Sequence, residues 1–297
     1  MDPFEAHRRR LLTLAYRLLG SWSDAEDVVQ EAHLAFSRQP AGSLDSPGAW
    51  LERVVTNRCL DQLKSARSQR ETYVGPWLPE PVVSEALVAS PVDVEGISVA
   101  FLALLERLSP LERAVFVLAE AFDYAHHDIA RVLGRDVAAV RQLLHRARAH
   151  VQAGRPRFAK DASAHEAMVT QFLGAVMQGD VTGLERLLRH DVTLTTDGGG
   201  KVRAALKVVQ GANRVARFFL GVAMKQPPDT RLELRSLNGW PAVLVYVGDA
   251  LSSVHHFETD GHVIDAIRSV SNPDKLAALR RQGVSGDVGS SADPRPA

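Results

Sequence analysis

Cysteine is almost missing from this chain, whose 297 residues contain only Cys59. An internal disulfide is therefore excluded, as is a zinc site built from several thiolates, and a reducing cytosol is the compartment that fits. No stretch of apolar residues is long enough for a helical membrane span, which needs about 20. The opening MDPFEAHRRRLL lacks the apolar core of a signal peptide. Net charge is missing too, since 35 Lys and Arg balance 35 Asp and Glu. That balance excludes a generic polyanion binder and leaves local charge as the means of recognition.

Local charge is strongly segregated. Trp22 to Glu31 carries Asp24, Glu26, Asp27 and Glu31 with no base, whereas Arg53 to Arg70 carries Arg53, Arg58, Lys64, Arg67 and Arg70 against Asp61. An acidic patch beside a basic one suggests two partners of different kinds, a protein and a nucleic acid. Helix-end electrostatics is the alternative account of the acids, but Gln30 and Glu31 extend the polar face beyond one turn.

The stretch from Leu108 to Val151 reads as two helical patterns joined at Gly134, where a turn between crossing helices needs positive φ. The first pattern covers about Tyr124 to Leu133. Asp136 can cap the second, whose apolar positions Val137, Val140, Leu144, Ala147 and Val151 share one face. The spacing Ala130, Gly134, Val140 fits a helix-turn-helix. Arg141, Gln142, His145, Arg146 and Arg148 lie on the other face, as donors suited to phosphates and base edges in a major groove. A helical hairpin with a solvated basic face is the alternative. Eight Lys and Arg against Asp136 alone, between Arg131 and Lys160, favour DNA.

Upstream, the pattern predicts helices over about Phe4 to Leu19 and Asp24 to Ser37, the second capped by a Ser23–Glu26 box. Ser46-Pro47 begins a third, with Asn57, Arg58, Asp61 and Lys64 on its polar side. Thr72 to about Gly96 has no sustained period and reads as a linker. Within it, Pro79 and Pro81 stiffen Trp77-Leu78-Pro79-Glu80-Pro81, which serves either as a spacer or as a docking peptide anchored by Trp77.

Three blocks, DAEDVVQEAHLAF, AWLERVVTNRCLDQLKSA and the helix-turn-helix stretch LSPLERAVFVLAEAFDYAHHDIARVLGRDVAAVRQLLHRARAH, resemble an extracytoplasmic-function (ECF) sigma factor of bacterial RNA polymerase. The first two resemble sigma region two and the third resembles region four. RETYVGPWLPEP, TDGGGK and NPDKL resemble signatures of the SigJ-like subgroup, which adds a C-terminal SnoaL-like domain. His33 departs from a tryptophan common in that helix, and Ala125-His126 from a usual proline-aromatic pair. The resemblance implies a cytoplasmic, non-enzymatic subunit without cofactor or metal. Its partners would be core RNA polymerase, at the clamp and flap regions, and promoter DNA. Asp24, Glu26, Asp27 and Gln30 would meet the clamp. Asn57, Arg58, Asp61 and Lys64 would face the −10 element, and the helix-turn-helix the −35 element.

The expected fold is thus multidomain: an all-α region two (residues 1–70), the linker (71–97), a helix-turn-helix region four (98–153), an α+β SnoaL-like cone (164–281) and a disordered tail (282–297). Gly154 to Asp161 reads as a basic hinge. In the cone, helices over Glu166–Met177, Leu184–Arg189 and about Ala212–Val222 accompany strands at Val192–Thr196, Arg231–Leu237, Ala242–Val247, Ser252–Phe257 and Val263–Ser269, forming an antiparallel meander around a pocket.

Tyr246, His255, His256 and Asp265 are pocket candidates, though alternation sends the two histidines to opposite faces. Catalysis, binding of a small ligand in this pocket and regulation through protein contacts are its three readings. His126-His127 diverge on a helix, so no metal site is expected. Asp197-Gly198-Gly199-Gly200-Lys201 lacks phosphate-loop spacing, and its glycines suit close backbone approach. It is expected to touch the linker, with Trp77 on apolar cone surface and Lys201 near Glu80. Two rivals stand beside the sigma reading: a free-standing transcriptional repressor or activator, and a SnoaL-type cyclase with a helical partner-binding domain.

Overall fold

A glycine and a serine set the boundary between the first two helices. The computed structural model describes residues 3–40, 42–87, 95–154 and 162–284. Helix α1 (Glu5–Leu19) stops at Gly20, whose φ of 69° ends it in the left-handed region. Helix α2 (Trp22–Phe36) begins at once, capped by Ser21, whose Oγ accepts the Asp24 N–H. The expected Ser23–Glu26 box does not form, because Ser21 lies in extended conformation directly after the left-handed glycine and starts the helix two residues earlier. Helix α3 (Pro47–Glu71) follows Ser46, as its Ser-Pro start predicts.

Four helices make the next unit. Helices α4 (Val99–Leu105) and α5 (Pro110–Ala121) precede the helix-turn-helix proper, α6 (His126–Leu133) and α7 (Val137–Gly154). The pattern assigned neither α4 nor α5, although Ser109-Pro110-Leu111-Glu112 forms a full capping box with proline at the helix start. The turn agrees with its spacing. Gly134 has φ 61°, Asp136 Oδ1 accepts the Ala139 N–H at 2.7 Å, and Val140, Leu144, Ala147 and Val151 are buried. The first of the two helices starts at His126 and not at Tyr124, since Ala125 is extended at its N-terminus.

These two helical units do not keep separate cores. Leu14, Tyr16, Val55 and Cys59 of the first belong to one apolar cluster with Leu102, Val115, Leu118 and Ile129 of the second, and Ala278 joins from the C-terminal helix. Across the seam, fully buried Arg113 donates to the Arg17 carbonyl and the Tyr124 hydroxyl donates to Glu52, while Glu106 and Arg10 pair with Arg113 and Glu52 from within their own units.

The cone is a six-stranded sheet in the order β2-β1-β6-β5-β4-β3. Its elements are α8 (Ala162–Gln178), α9 (Val181–Leu187), β1 (Leu188–Asp197), β2 (Val209–Gln210), α10 (Ala212–Ala223), β3 (Thr230–Leu237), β4 (Trp240–Val247), β5 (Ala250–Thr259), β6 (Ile264–Val270) and α11 (Pro273–Arg281). The short helix ends at Leu187, so Leu188 and Arg189 are strand and not helix. Strands β3 to β6 form the expected meander, but β1 pairs with β6 in parallel, Leu194 opposite Ile267.

Alternation along β4 sorts two cores. Val243 and Val245 face Phe172, Phe219 and Phe257 under α8 and α10. Ala242, Leu244 and Tyr246 face α11 and two linker residues, Leu78 and Val83. The linker thus completes the cone, and Val83 bridges to Leu237 at the edge of β3. The expected tail also begins later than residue 282: Val284 is buried, and Gln282 Oε1 accepts the Val83 N–H. Residues 285–297, and the hinge residues 155–161, lie outside the described residues.

Candidate functional site

On α2, Glu26, Asp27 and Gln30 are exposed and Asp24 is half-buried. Glu31 leans toward α3, 3.0 Å from Arg58. One turn further, Leu34 is 53% exposed, an apolar contact point within a polar stripe that periodicity alone marks only as off the buried face. On α3, Asn57, Arg58, Asp61 and Lys64 are all exposed, with Lys64 2.9 Å from Asp61. The acidic and basic faces are therefore neighbours stitched at Glu31–Arg58.

The polar face of α7 divides in two. Arg141, Gln142 and His145 reach solvent. Arg146 instead binds Glu112 at 3.0 Å, and Arg148 grips Glu120 with two bonds, 2.9 and 2.7 Å. Both acids belong to α5, so the C-terminal arginines hold α7 on its own scaffold. The pairs on the acids also lower the Glu112 carboxyl, through the Ser109 hydroxyl and N–H and through Arg146, despite its desolvation.

The linker motif is enclosed rather than exposed. Leu78, Pro79, Glu80 and Pro81 are buried and Trp77 is half-buried. Glu80 supplies the anion at the start of α2: its carboxylate accepts the Trp22 and Ser23 N–H groups at 2.8 and 3.0 Å and the Ser21 hydroxyl at 3.0 Å. A helix N-terminus favours an anion there. Burial nonetheless pushes the Glu80 carboxyl above the ordinary glutamate range, against the pull of those donors. The Lys201–Glu80 contact therefore does not form; Lys201 pairs with Asp274 at 2.5 Å.

The loop touches the linker through its carboxylate. Asp197, fully buried, accepts the Leu78 N–H at 2.8 Å and the Tyr73 hydroxyl at 2.5 Å, and pairs with Lys275 at 2.6 Å. Gly198 packs against the Val202–Ala204 turn, Gly199 against Asn272, and Gly200 against Val74 of the linker. Trp77 does not lie on apolar cone surface. Its ring edge lies over Gly20, where a Cβ would come within 2.9 Å of it, and its face receives the Lys275 ammonium at 4.0 Å. Leu78 is the side chain that enters the cone core. The last helix adds Arg281, which donates to Ser23 at 2.8 Å and comes within 3.8 Å of Glu26 on the acidic helix.

The four pocket candidates do not converge. Tyr246 lies in the core beneath α11, with Arg231 over its ring. His255 packs on Phe219 and His256 faces the opposite side, and burial lowers them to about 4 and about 3. Asp265 pairs with Arg189. Neutral, separated imidazoles and a neutralised aspartate make no acid/base pair. No group of three or more potential metal ligands occurs among the described residues. A cleft of about 540 Å³ lies elsewhere, at the seam between the helical units, walled by Trp50, Arg53, Phe122 and Tyr124.

Comparison with known proteins adds independent findings. The sigma-70 region 2 model matches residues 3–69 and the sigma-70 region 4 model matches residues 98–151. The ECF RNA polymerase sigma factor SigJ of Mycobacterium tuberculosis (strain ATCC 25618 / H37Rv) is 39% identical over 291 residues, which is 93% of this chain and 93% of SigJ. The ECF RNA polymerase sigma factor SigG of the same strain is 29% identical, covering 88% of this chain and 76% of its own. The crystal structure of Mycobacterium tuberculosis SigJ superposes with a TM-score of 0.74 at 35% identity, covering 93% of this chain and 97% of the other.

Proposed function

The chain belongs to the extracytoplasmic-function sigma factors of RNA polymerase, and from that premise we propose how its surfaces divide the work. A sigma factor is a transcription initiation factor and not an enzyme. Here α2 docks on core polymerase, the exposed face of α3 meets −10 DNA, and α7 reads the −35 element. The cone controls both in cis.

The enclosure of Leu78 to Pro81 carries the cis-control reading. Those residues touch the start of α2 on one side and the cone on the other, so the cone cannot shift without disturbing the helix that meets polymerase. DNA rises 3.4 Å per base pair along each strand, so two promoter elements a fixed number of pairs apart demand a set distance between α3 and α7. Tethering makes even weak contacts within one chain effective at millimolar concentrations. Ending the chain before Ala164 should strongly change transcription from a cognate promoter. Leu78→Ala, which removes a linker side chain from the cone core, should alter output in the full-length chain and not in the shortened one. The same effect in both would mean that the linker is only a spacer.

On α7, the solvent-facing residues near its start are the base readers. Losing Arg141 should cost roughly 1–3 kcal/mol and relax sequence choice at one or two positions of the −35 element. Arg148→Ala acts by loosening α7 from Glu120, so it weakens all promoters alike. A binding-site selection assay separates the two, and a uniform loss for Arg141→Ala would reverse the roles.

A further inference from the structure

One residue that no motif includes joins the cone to region two and to the linker as far as the start of region four. Asn238 forms with Gly239 the two-residue turn between β3 and β4, with φ values of 53° and 81°. Asparagine is among the few residues that tolerate that conformation, and Asn-Gly is the usual solution for such a hairpin. A hairpin tip normally faces water. Here Asn238 is 1% exposed.

Every polar group of its side chain is engaged outside the cone's sheet. Oδ1 accepts the Val82 N–H of the linker at 2.9 Å. Nδ2 donates to the Tyr16 hydroxyl of α1 at 2.7 Å and to the Ile97 carbonyl, just before α4, at 2.8 Å. Its backbone N–H donates to the Val82 carbonyl at 2.9 Å. Tyr16 passes the connection on, donating to the Glu80 carbonyl at 2.6 Å. Glu80 in turn caps α2. Burial and the nearby Glu80 carboxylate raise the Tyr16 phenol and the Asn238 amide opposes them, so Tyr16 is a neutral donor throughout the physiological range.

We propose that the Asn238 tip is a latch that holds region two, the linker and region four in their closed arrangement. The inference rests on cis control by the cone and names the place where that control is exerted. Four groups, one on α1 and three on the linker up to the start of region four, share the one side chain or its turn, so withdrawing the tip removes a bond from each in a single step. Buried groups left without partners are costly. The arrangement therefore opens as a unit, with α1 and the start of α4 released together. A turn needing only its own conformation would be equally served by an exposed asparagine.

The test places spin labels on Ser37→Cys, beyond α2, and His150→Cys, on α7, in the full chain; both sites are exposed, and Cys59 is fully buried and so stays unlabelled. Asn238→Gly keeps the turn conformation and deletes the three side-chain bonds. Asn238→Asp keeps the acceptor and deletes both donors. Each should lower the ratio of short to long label distances roughly tenfold or more, with the cone's own melting transition retained. Tyr16→Phe, which preserves ring packing against Trp22, should shift it in the same direction from the other side of the contact. If Asn238→Asp unfolds the cone, the glycine variant decides. Unchanged distances in a folded Asn238→Gly chain overturn the latch. Opening without any change in promoter output leaves the latch standing and overturns cis control.

Discussion

Asp197→Ala is expected to destabilise the protein by about 3–5 kcal/mol, the range for removing one partner of a buried ion pair. Asp197 has no exposed side-chain surface and its partner Lys275 has 7%. Removing the carboxylate leaves the Leu78 N–H, the Gly199 N–H and the Tyr73 hydroxyl without their acceptor. It also leaves an ammonium stranded between the Leu78 carbonyl and the Trp77 ring. Burial already raises the Tyr73 phenol, and its bond to Asp197 raises it further, so the hydroxyl stays protonated and donates to that carboxylate. Urea denaturation of the single variant, beside Asp197→Ala combined with Lys275→Met, checks the mechanism. The double variant should recover part of the loss, because it removes the buried ammonium left without its carboxylate while the orphaned donors remain. An unshifted urea midpoint for the single variant would show that the pair contributes nothing.

Reversing Asp24 and Asp27 together to lysine should remove binding to core polymerase while leaving helix content unchanged. Asp27 is exposed and Asp24 half-buried, so neither carries the helix packing that Ala25, Val28, Val29 and Ala32 provide. The change moves the local charge by four units, and like charges facing across an interface cost several kcal/mol, or roughly a thousandfold in affinity. Copurification with core polymerase reads the result, and circular dichroism checks the fold. Retained binding would move the docking surface elsewhere on the bundle. Leu34→Ala, on the same stripe, should weaken binding less, because it removes buried area without adding repulsion.

The parts legible in the sequence are those set by local period or by turn chemistry. Gly134, Asp136 and the spacing of Val140, Leu144 and Val151 define α7 and its exposed face without any long-range information. The Asp197–Lys201 run stood out for its glycines, yet its contact with the linker is made chiefly by the aspartate. An unusual composition reveals that a segment has a partner, but not which atom makes the contact. Ser23 and Glu26 had the spacing of a capping box, whereas the anion actually at that helix end, Glu80, lies 57 residues away in sequence. The burial of Asn238 against Tyr16, 222 residues earlier, is a property of domain packing and leaves no local trace. The same holds for the parallel pairing of β1 with β6, since alternation fixes which face a residue takes and says nothing about its neighbour strand.

That parallel pair also sets an order in time. The sheet's second strand in space, β1, has as its inner neighbour β6, the last to be made, so the cone cannot close until Val270 has left the ribosome. The helix-turn-helix is complete in the chain by Gly154. At about 5–20 residues per second, synthesis of the intervening stretch occupies roughly 6–23 seconds. Throughout that interval regions two and four exist without a closed cone, because Lys275, which ties the linker to it, has not yet been made. The helical units are therefore complete in the chain before the contacts that Asn238 and Lys275 make with α1 and the linker can form.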